Sequence, residues 1–180
     1  IGKSKAYNLL ESDDVISAII SMRKLGVEIL KRKGRYEING VGLSGFRHKN
    51  NLRLDAGNSG TFARLLCGTL AGNISNVKVT GDSSLSKRDF SRVVKPLELF
   101  GISIKTNKNK LPIIIKGSKF LRPIFYKEEK GSAQVKSAIL LASLNTPGQT
   151  IIKSKISRNH TELMFKNCLK IPLKLKKYKN

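Results

Sequence analysis

The chain has 180 residues, 39% hydrophobic and 26% charged, the composition of a globular chain, and its apolar runs are far shorter than a membrane span. Thirty-five Lys and Arg against 12 Asp and Glu give a formal net charge of +23, which suits anionic small molecules or nucleic acid. Lysines outnumber arginines 25 to 10 and are scattered from Lys3 to Lys179 rather than gathered in one motif, so the arginines, the better bidentate anion readers, carry more of any site argument.

In chain order, residues 5–10 are expected to form a strand. Val15, Ala18, Ile19 and Met22 then share one helical face, with Ser12 or Asp13 as cap and Gly26 placed where a helix ends in a left-handed residue. A strand over 27–29 should turn through 31–35, which contains Gly34, and return over 36–38. The spacing of Phe62, Leu65, Leu66 and Leu70 predicts a helix over 58–71, followed by a strand over 77–79. Residues 81–88 read as a polar loop that delivers Arg88 to the start of a helix bearing Phe90, Val93, Val94 and Leu97. After Gly101 come a strand over 102–104, a polar loop over 106–110 and a return strand over 111–116. Val135, Ala138, Ile139 and Ala142 predict a helix over 134–144, with a strand at 150–152. Asn159 with Glu162 resembles a capping box for a last helix, and Pro172 precedes an expected strand at 173–175.

A repeat underlies this order. Asp14, Asp89 and His160 align, and eleven residues later come Leu25, Phe100 and Ile171, each followed by a stop (Gly26, Gly101, Pro172) and an apolar alternation. The fold class expected is therefore α+β, with repeated β-α-β-β-α units and sheets covered by helices, in three units at roughly 1–50, 51–125 and 126–180. The third copy lacks a return strand and the first lacks its leading helix. The first residue is Ile rather than Met, with no basic-then-apolar leader. The chain is expected to be one incomplete domain of a longer protein.

Three segments suggest chemistry. Leu54 to Thr61 is a run of small and polar residues entering a helix, where backbone N–H groups favour an anion; a plain capping loop fits it as well. Arg88 at a helix start would oppose the helix dipole, which suits a cation aimed at a ligand; an ordinary solvated Arg is the alternative. Ser132 and Gln134 open a further amphipathic helix and can bind phosphate or carboxylate, or simply cap a core helix. Cys67 and Cys168 are too few for a disulfide framework and fit a reducing cytoplasm, and His48 and His160 stand alone, so no metal site is expected.

Together the segments are far more specific. Asn8-Leu9-Leu10-Glu11-Ser12-Asp13-Asp14, Gly57-Asn58-Ser59-Gly60-Thr61 through Arg64, Gly81-Asp82-Ser83-Ser84-Leu85 through Arg88, Pro96-Leu97, Ser132-Ala133-Gln134-Val135-Lys136-Ser137-Ala138, and Ser157-Arg158 through His160-Thr161-Glu162 span nearly the whole chain. In that order they resemble the enolpyruvyl transferase family of the enolpyruvylshikimate-phosphate synthase (3-phosphoshikimate 1-carboxyvinyltransferase) type. The resemblance implies a fold of two domains, each of three repeated units. It implies transfer of the enolpyruvyl group of phosphoenolpyruvate to the 5-hydroxyl of shikimate 3-phosphate in aromatic amino-acid biosynthesis, by addition and elimination. It implies no metal or organic cofactor. Carried over by motif, Gly60 and Arg88 look like phosphoenolpyruvate contacts, Gln134 lies near both substrates, and Ser132, Ala133, Gln134 and Arg158 look like the shikimate 3-phosphate set. Asp89 stands where the family usually has Pro, and a carboxylate there could pair with Arg88. The family's early Lys-Ser…Arg segment and its second domain, with the catalytic Asp, Lys and Glu, are expected before Ile1 and after Asn180. No catalytic residue is therefore assigned, and the chain alone is expected to be inactive.

Three other readings stay open: the related enolpyruvyl transferase of cell-wall synthesis, a basic nucleic-acid-binding module, and a non-catalytic truncated remnant. Trp is absent and aromatics are 6%, which makes poor stacking platforms, so no nucleic-acid partner and no membrane partner are expected. The sequence specifies no oligomeric state.

Overall fold

A computed structural model describes residues 2–43 and 45–175, and within them the apolar periodicities become an α+β arrangement of helices on three small sheets. β1 (Gly2–Tyr7) leads to α1 (Asp13–Lys24), whose first turn is acidic (Asp13, Asp14) and last turn basic (Arg23, Lys24), both favourable to the helix dipole. Gly26, at φ +89°, ends α1, and the hairpin β2 (Glu28–Arg32) and β3 (Arg35–Gly40) follows. β4 (Leu52–Asp55), α2 (Gly60–Thr69) and β5 (Val77–Thr80) come next, then the single turn α3 (Ser83–Ser86) and α4 (Ser91–Leu99). β6 (Ser103–Asn107) and β7 (Lys110–Lys116) form a second hairpin. β8 (Phe125–Glu128), α5 (Ala133–Ser143), β9 (Ile151–Ser154) and α6 (His160–Asn167) complete the described elements.

The repeat in the sequence is a repeat in space. β4 and β5 pair in parallel around α2, and β8 and β9 pair in parallel around α5. The antiparallel order β1-β3-β2 matches β5-β7-β6, and the four-stranded sheet β4-β5-β7-β6 carries the whole pattern. Both hairpins turn through two residues of positive φ, Lys33–Gly34 and Lys108–Asn109, the geometry that matches strand twist. β7 alternates strictly: Leu111, Ile113 and Ile115 are buried while Pro112, Ile114 and Lys116 are exposed.

One core joins α2, α4 and α5 to the four-stranded sheet, through Leu66, Leu70, Phe90, Leu97, Ile113 and Ile139 among others. The helices α2 and α5 cross at Gly68, where an added Cβ would lie 2.1 Å from the carbonyl oxygen of Ala138. Only a residue without Cβ lets these two backbones meet, and their meeting sets the N-termini of α2 and α5 side by side. A smaller cluster of Ile19, Val27, Ile29 and Tyr36 packs α1 on the three-stranded sheet.

Several expectations need correction. The first strand is Gly2–Tyr7 rather than 5–10. Both hairpin turns are tighter than the expected loops, because the ladders run on to Arg32–Arg35 and Asn107–Lys110. Ser12 has the cap conformation, but its side chain bonds no helix N–H. The expected strand at 173–175 does not form; β2 and β6 are each held by a return strand, and 173–175 has none among the described residues. Lys179 and Asn180 lie outside the described residues. The Asn159–Glu162 capping box is not made, because the Glu162 carboxylate is buried against Lys136 instead.

Candidate anion-binding site

The N-terminus of α2 follows β4 through a bend fixed by Asp55, whose Oδ1 accepts the N–H of Gly57 at 2.9 Å, with Gly57 at φ +55°. Ser59 caps the helix, its Oγ accepting the N–H of Phe62 at 3.2 Å. The N–H groups of Gly60 and Thr61 find no acceptor among the described residues, as expected for the first turn of a helix. Gly60 is where two guanidinium groups converge: a Cβ there would lie 2.8 Å from Nη1 of Arg64 and 2.9 Å from Nη1 of Arg88.

Neither arginine forms an ion pair among the described residues. Arg64 donates from Nη1 to the Gly60 carbonyl (3.2 Å) and to Gln134 Oε1 (3.0 Å), and from Nη2 to the Asp89 carbonyl (3.3 Å). Its guanidinium carbon stands 4.8 Å from the centre of the Phe90 ring. Burial, and then the neighbouring charge of Arg88, push its pKa below the ordinary value. Arg88 makes a long 3.4 Å bond from Nη2 to Asn58 Oδ1 and is otherwise open. Asn58 in turn donates to Asp82 Oδ2 at 2.5 Å, and Asp82 caps α3 by accepting the N–H of Leu85 at 2.7 Å. The nearby carboxylate is thus engaged elsewhere, held below its ordinary pKa first by Asn58 and then by that N–H. Two close cations that form no ion pair among the described residues, beside free N–H groups at a helix N-terminus, suit an anion.

Arg88 sits between α3 and α4, three residues before Ser91, so it does not occupy the first turn of a helix as expected. Its orientation toward Gly60 comes from the α3 turn instead. Asp89 does not pair with Arg88 either. Its Oδ1 accepts the N–H of Ser91 at 2.9 Å and also the Ser91 hydroxyl, and the hydroxyl bond is the main cause of its lowered pKa.

Gln134 bridges the two helix starts. Its Oε1 takes Arg64, and its Nε2 donates to Thr61 Oγ1 at 2.7 Å. Ser132 caps α5, its Oγ accepting the N–H of Val135 at 3.4 Å, while its own N–H donates to Glu128 Oε2 at 2.8 Å. The N–H groups of Ala133 and Gln134 have no acceptor among the described residues. Glu128 is buried at the end of β8 and pairs with Arg92 Nη2 at 2.8 Å. Burial would raise its pKa, but the N–H of Ser132, the Arg92 guanidinium and the N–H groups of Gly131 and Lys130 outweigh that and hold it low. Arg158 is exposed, two residues before α6, and makes no hydrogen bond or ion pair among the described residues.

The structure therefore joins Gly60, Arg88 and Gln134 in one cluster, with Ser132 and Ala133 on the adjoining turn. Arg158 makes no hydrogen bond to any of them among the described residues. Arg64, Thr61, Glu128 and Arg92 were not singled out as site residues by sequence reasoning. Arg64 had a usable signal: four residues after Gly60 on a helix, it must lie over that glycine. Glu128 and Arg92 had none, because they meet only through tertiary packing. Among the described residues, no three or more His, Cys, Asp and Glu side chains are grouped to share a metal ion. No described helix is long and apolar enough to cross a membrane.

The family model of EPSP synthase (3-phosphoshikimate 1-carboxyvinyltransferase) matches residues 1–179. The chain is 42% identical to the 3-phosphoshikimate 1-carboxyvinyltransferase of Paracoccus denitrificans over 92% of its length, and 44% identical to that of Streptococcus mutans over 92%. It is 47% identical to that of a Sulfurihydrogenibium species over 91%. It spans only 38% or 39% of the length of these relatives. A solved EPSP synthase from Acinetobacter baumannii superposes on 92% of the chain with a TM-score of 0.86 at 40% identity, and the chain covers 38% of it.

Proposed function

Because the chain belongs to the EPSP synthase family, we propose that it is the part of such an enzyme that holds the two anionic substrates while the enolpyruvyl group of phosphoenolpyruvate passes to the 5-hydroxyl of shikimate 3-phosphate. The observation that carries this reading is the pair of unneutralised guanidinium groups at Gly60, tied through Gln134 to the start of α5. On this reading the phosphate of shikimate 3-phosphate rests on the free N–H groups of Ala133 and Gln134 and the hydroxyl of Ser132, with Arg158 adding its charge. Phosphoenolpyruvate rests at the start of α2, against Gly60, Thr61 and Arg88, with Arg64 behind. Gln134 touches both.

The division of labour follows from charge. The acceptor oxygen bonds to the carbon bearing the phosphate as the hydroxyl gives up its proton and the methylene carbon gains one. From this tetrahedral intermediate the bond to phosphate breaks as the methyl group gives up a proton and the double bond re-forms. Positive charge beside the phosphate stabilises its departure, and fixed donors bring two anions together that would repel in water. On this reading the residues of the chain bind and orient the two anions. We also read the chain as three units, near 1–50, 51–125 and 126–180, of which β4–α2–β5 and β8–α5–β9 are equivalent halves.

Calorimetry with shikimate 3-phosphate, with and without phosphoenolpyruvate, tests the reading. Binding of shikimate 3-phosphate that weakens on Ser132→Ala or Gln134→Ala is expected. Equal heats for the wild type and both variants would reject the assignment.

A further inference from the structure

The motifs that open α5 and α6 extend past the residues assigned to ligand. After Ser132, Ala133 and Gln134 come Lys136 and Ser137; after Arg158 come Thr161 and Glu162. In the structure these remaining polar residues meet one another. Lys136 Nζ lies 2.5 Å from Glu162 Oε1, with the two side chains 10% and 6% exposed. Ser137 Oγ and Thr161 Oγ1 share a hydrogen bond at 2.7 Å. The backbone leading to Arg158 also passes the start of α5: a Cβ on Gly131 would lie 3.5 Å from the Ile156 carbonyl oxygen.

We propose that the Lys136–Glu162 ion pair, with the Ser137–Thr161 bond beside it, is a positioning clasp that sets Arg158 against the Ser132–Gln134 turn and makes one phosphate site of two motifs. Lys136 lies one helical turn beyond Ser132, the cap of α5, and Glu162 lies in the first turn of α6, which the chain enters just after Arg158, so the clasp fixes where that entry sits relative to the Ser132 turn. Arg158 itself is exposed and bonded to nothing among the described residues, so its placement depends on how α6 sits on α5. Stability alone does not account for the pair. Burying two charges costs nearly what their attraction returns, and two apolar side chains would hold the helices as well. Glu162 Oε2 is buried without a partner, which is a poor arrangement for stability alone. An ion pair with a fixed donor and acceptor supplies distance and direction, which apolar packing does not.

This inference rests on the phosphate reading of Ser132 and Arg158. The test is calorimetric titration of the 180-residue chain with shikimate 3-phosphate in four forms: wild type, Arg158→Ala, Lys136→Met with Glu162→Met, and all three changes together. Arg158→Ala should weaken binding roughly ten- to hundredfold in the wild type. The apolar pair, shown folded by circular dichroism and melting, should weaken binding about tenfold, and Arg158→Ala should then cost little more. A purely structural pair would give no such coupling. A folded apolar variant that binds like the wild type, or an Arg158→Ala loss that is the same in both backgrounds, overturns the clasp and leaves the phosphate site standing. A wild-type chain that ignores shikimate 3-phosphate, or is indifferent to Arg158→Ala, removes the site and the clasp together. Should the apolar variant not fold, Ser137→Ala with Thr161→Val replaces it in the same cycle. Coupling to Arg158 is then expected to be smaller, at about twofold to fivefold, and strict additivity would reject the clasp.

Discussion

The N-termini of α2 and α5 are copies of one design with opposite electrostatic surroundings. Both follow a short strand and a glycine of positive φ (Gly57, Gly131), and both are capped by a serine (Ser59, Ser132). At α2 the glycine Gly60 leaves room for two guanidinium groups, and no carboxylate forms an ion pair with either among the described residues. At α5 the equivalent first residue is Ala133, and the buried carboxylate of Glu128 occupies the N–H groups of 130–132. The first site is a cationic hollow whose two guanidinium groups form no ion pair among the described residues. The second is a turn already stiffened by its own anion, with two N–H groups left over. A duplicated scaffold supplies donors in both places, and a few side chains decide how much charge each one offers.

The largest effect that should break this comparison is on stability. Glu128→Ala leaves the N–H groups of 130–132 without their carboxylate and should cost about 2–3 kcal/mol in urea unfolding at pH 7. Arg92, which is half-exposed, recovers water and adds little to the loss. Because the folded pKa of Glu128 is lowered from its ordinary 4.5, its contribution is complete above 4.5 and disappears as pH falls through the lower folded value. The difference between wild type and Glu128→Ala should therefore shrink when unfolding is repeated near pH 3.

At the other terminus the effect should fall on binding. Arg88→Ala removes a charge-assisted contact worth ~1.5–3 kcal/mol, so phosphoenolpyruvate affinity should drop roughly ten- to hundredfold. Shikimate 3-phosphate affinity measured alone should change little. Equal losses for both ligands would show that the two termini are not separate sites. Ser59→Ala removes only a cap and should cost about 1 kcal/mol in thermal or urea unfolding. Ser132→Ala should cost a similar amount of stability and, unlike Ser59→Ala, should also weaken shikimate 3-phosphate. The smallest effect is expected of Asp89→Pro. The Asp89 carboxylate serves Ser91 rather than Arg88, so phosphoenolpyruvate affinity should stay within about twofold of wild type. A clear tightening would mean that Asp89 reaches Arg88 in solution.

Much of the scaffold was legible because it is written in local periodicity. The helical faces of α1, α2, α4 and α5, the glycines that end α1 and α4, and both hairpins follow from spacing within one turn or one ladder. β4 and β8 were not anticipated, since each is four residues long and is held by parallel pairing to a strand more than twenty residues away. A four-residue alternation carries too little signal to stand alone. The α3 turn was hidden in a polar, serine-rich stretch that reads equally well as a loop. The strand expected at 173–175 shows the reverse failure: its pattern is right, but a strand exists only where a partner satisfies its backbone.

By itself, the sequence marked the candidates: the glycine at the head of α2, the Ser-Ala-Gln turn of α5, and Arg88 and Arg158. Residue type and order along one segment make them candidates, because a helix start needs a cap and a close approach needs glycine. Tertiary structure alone decided which of them meet. Arg64 reaches Gln134 across 70 residues of chain, Arg92 reaches Glu128 across 36, and Lys136 reaches Glu162. The first of these exists because α2 and α5 can touch at Gly68, and that approach depends on the packing of the whole core. No periodicity along the chain encodes the distance between two helices, so the neutralised α5 turn and the unneutralised α2 hollow become distinguishable only when the helices are set side by side.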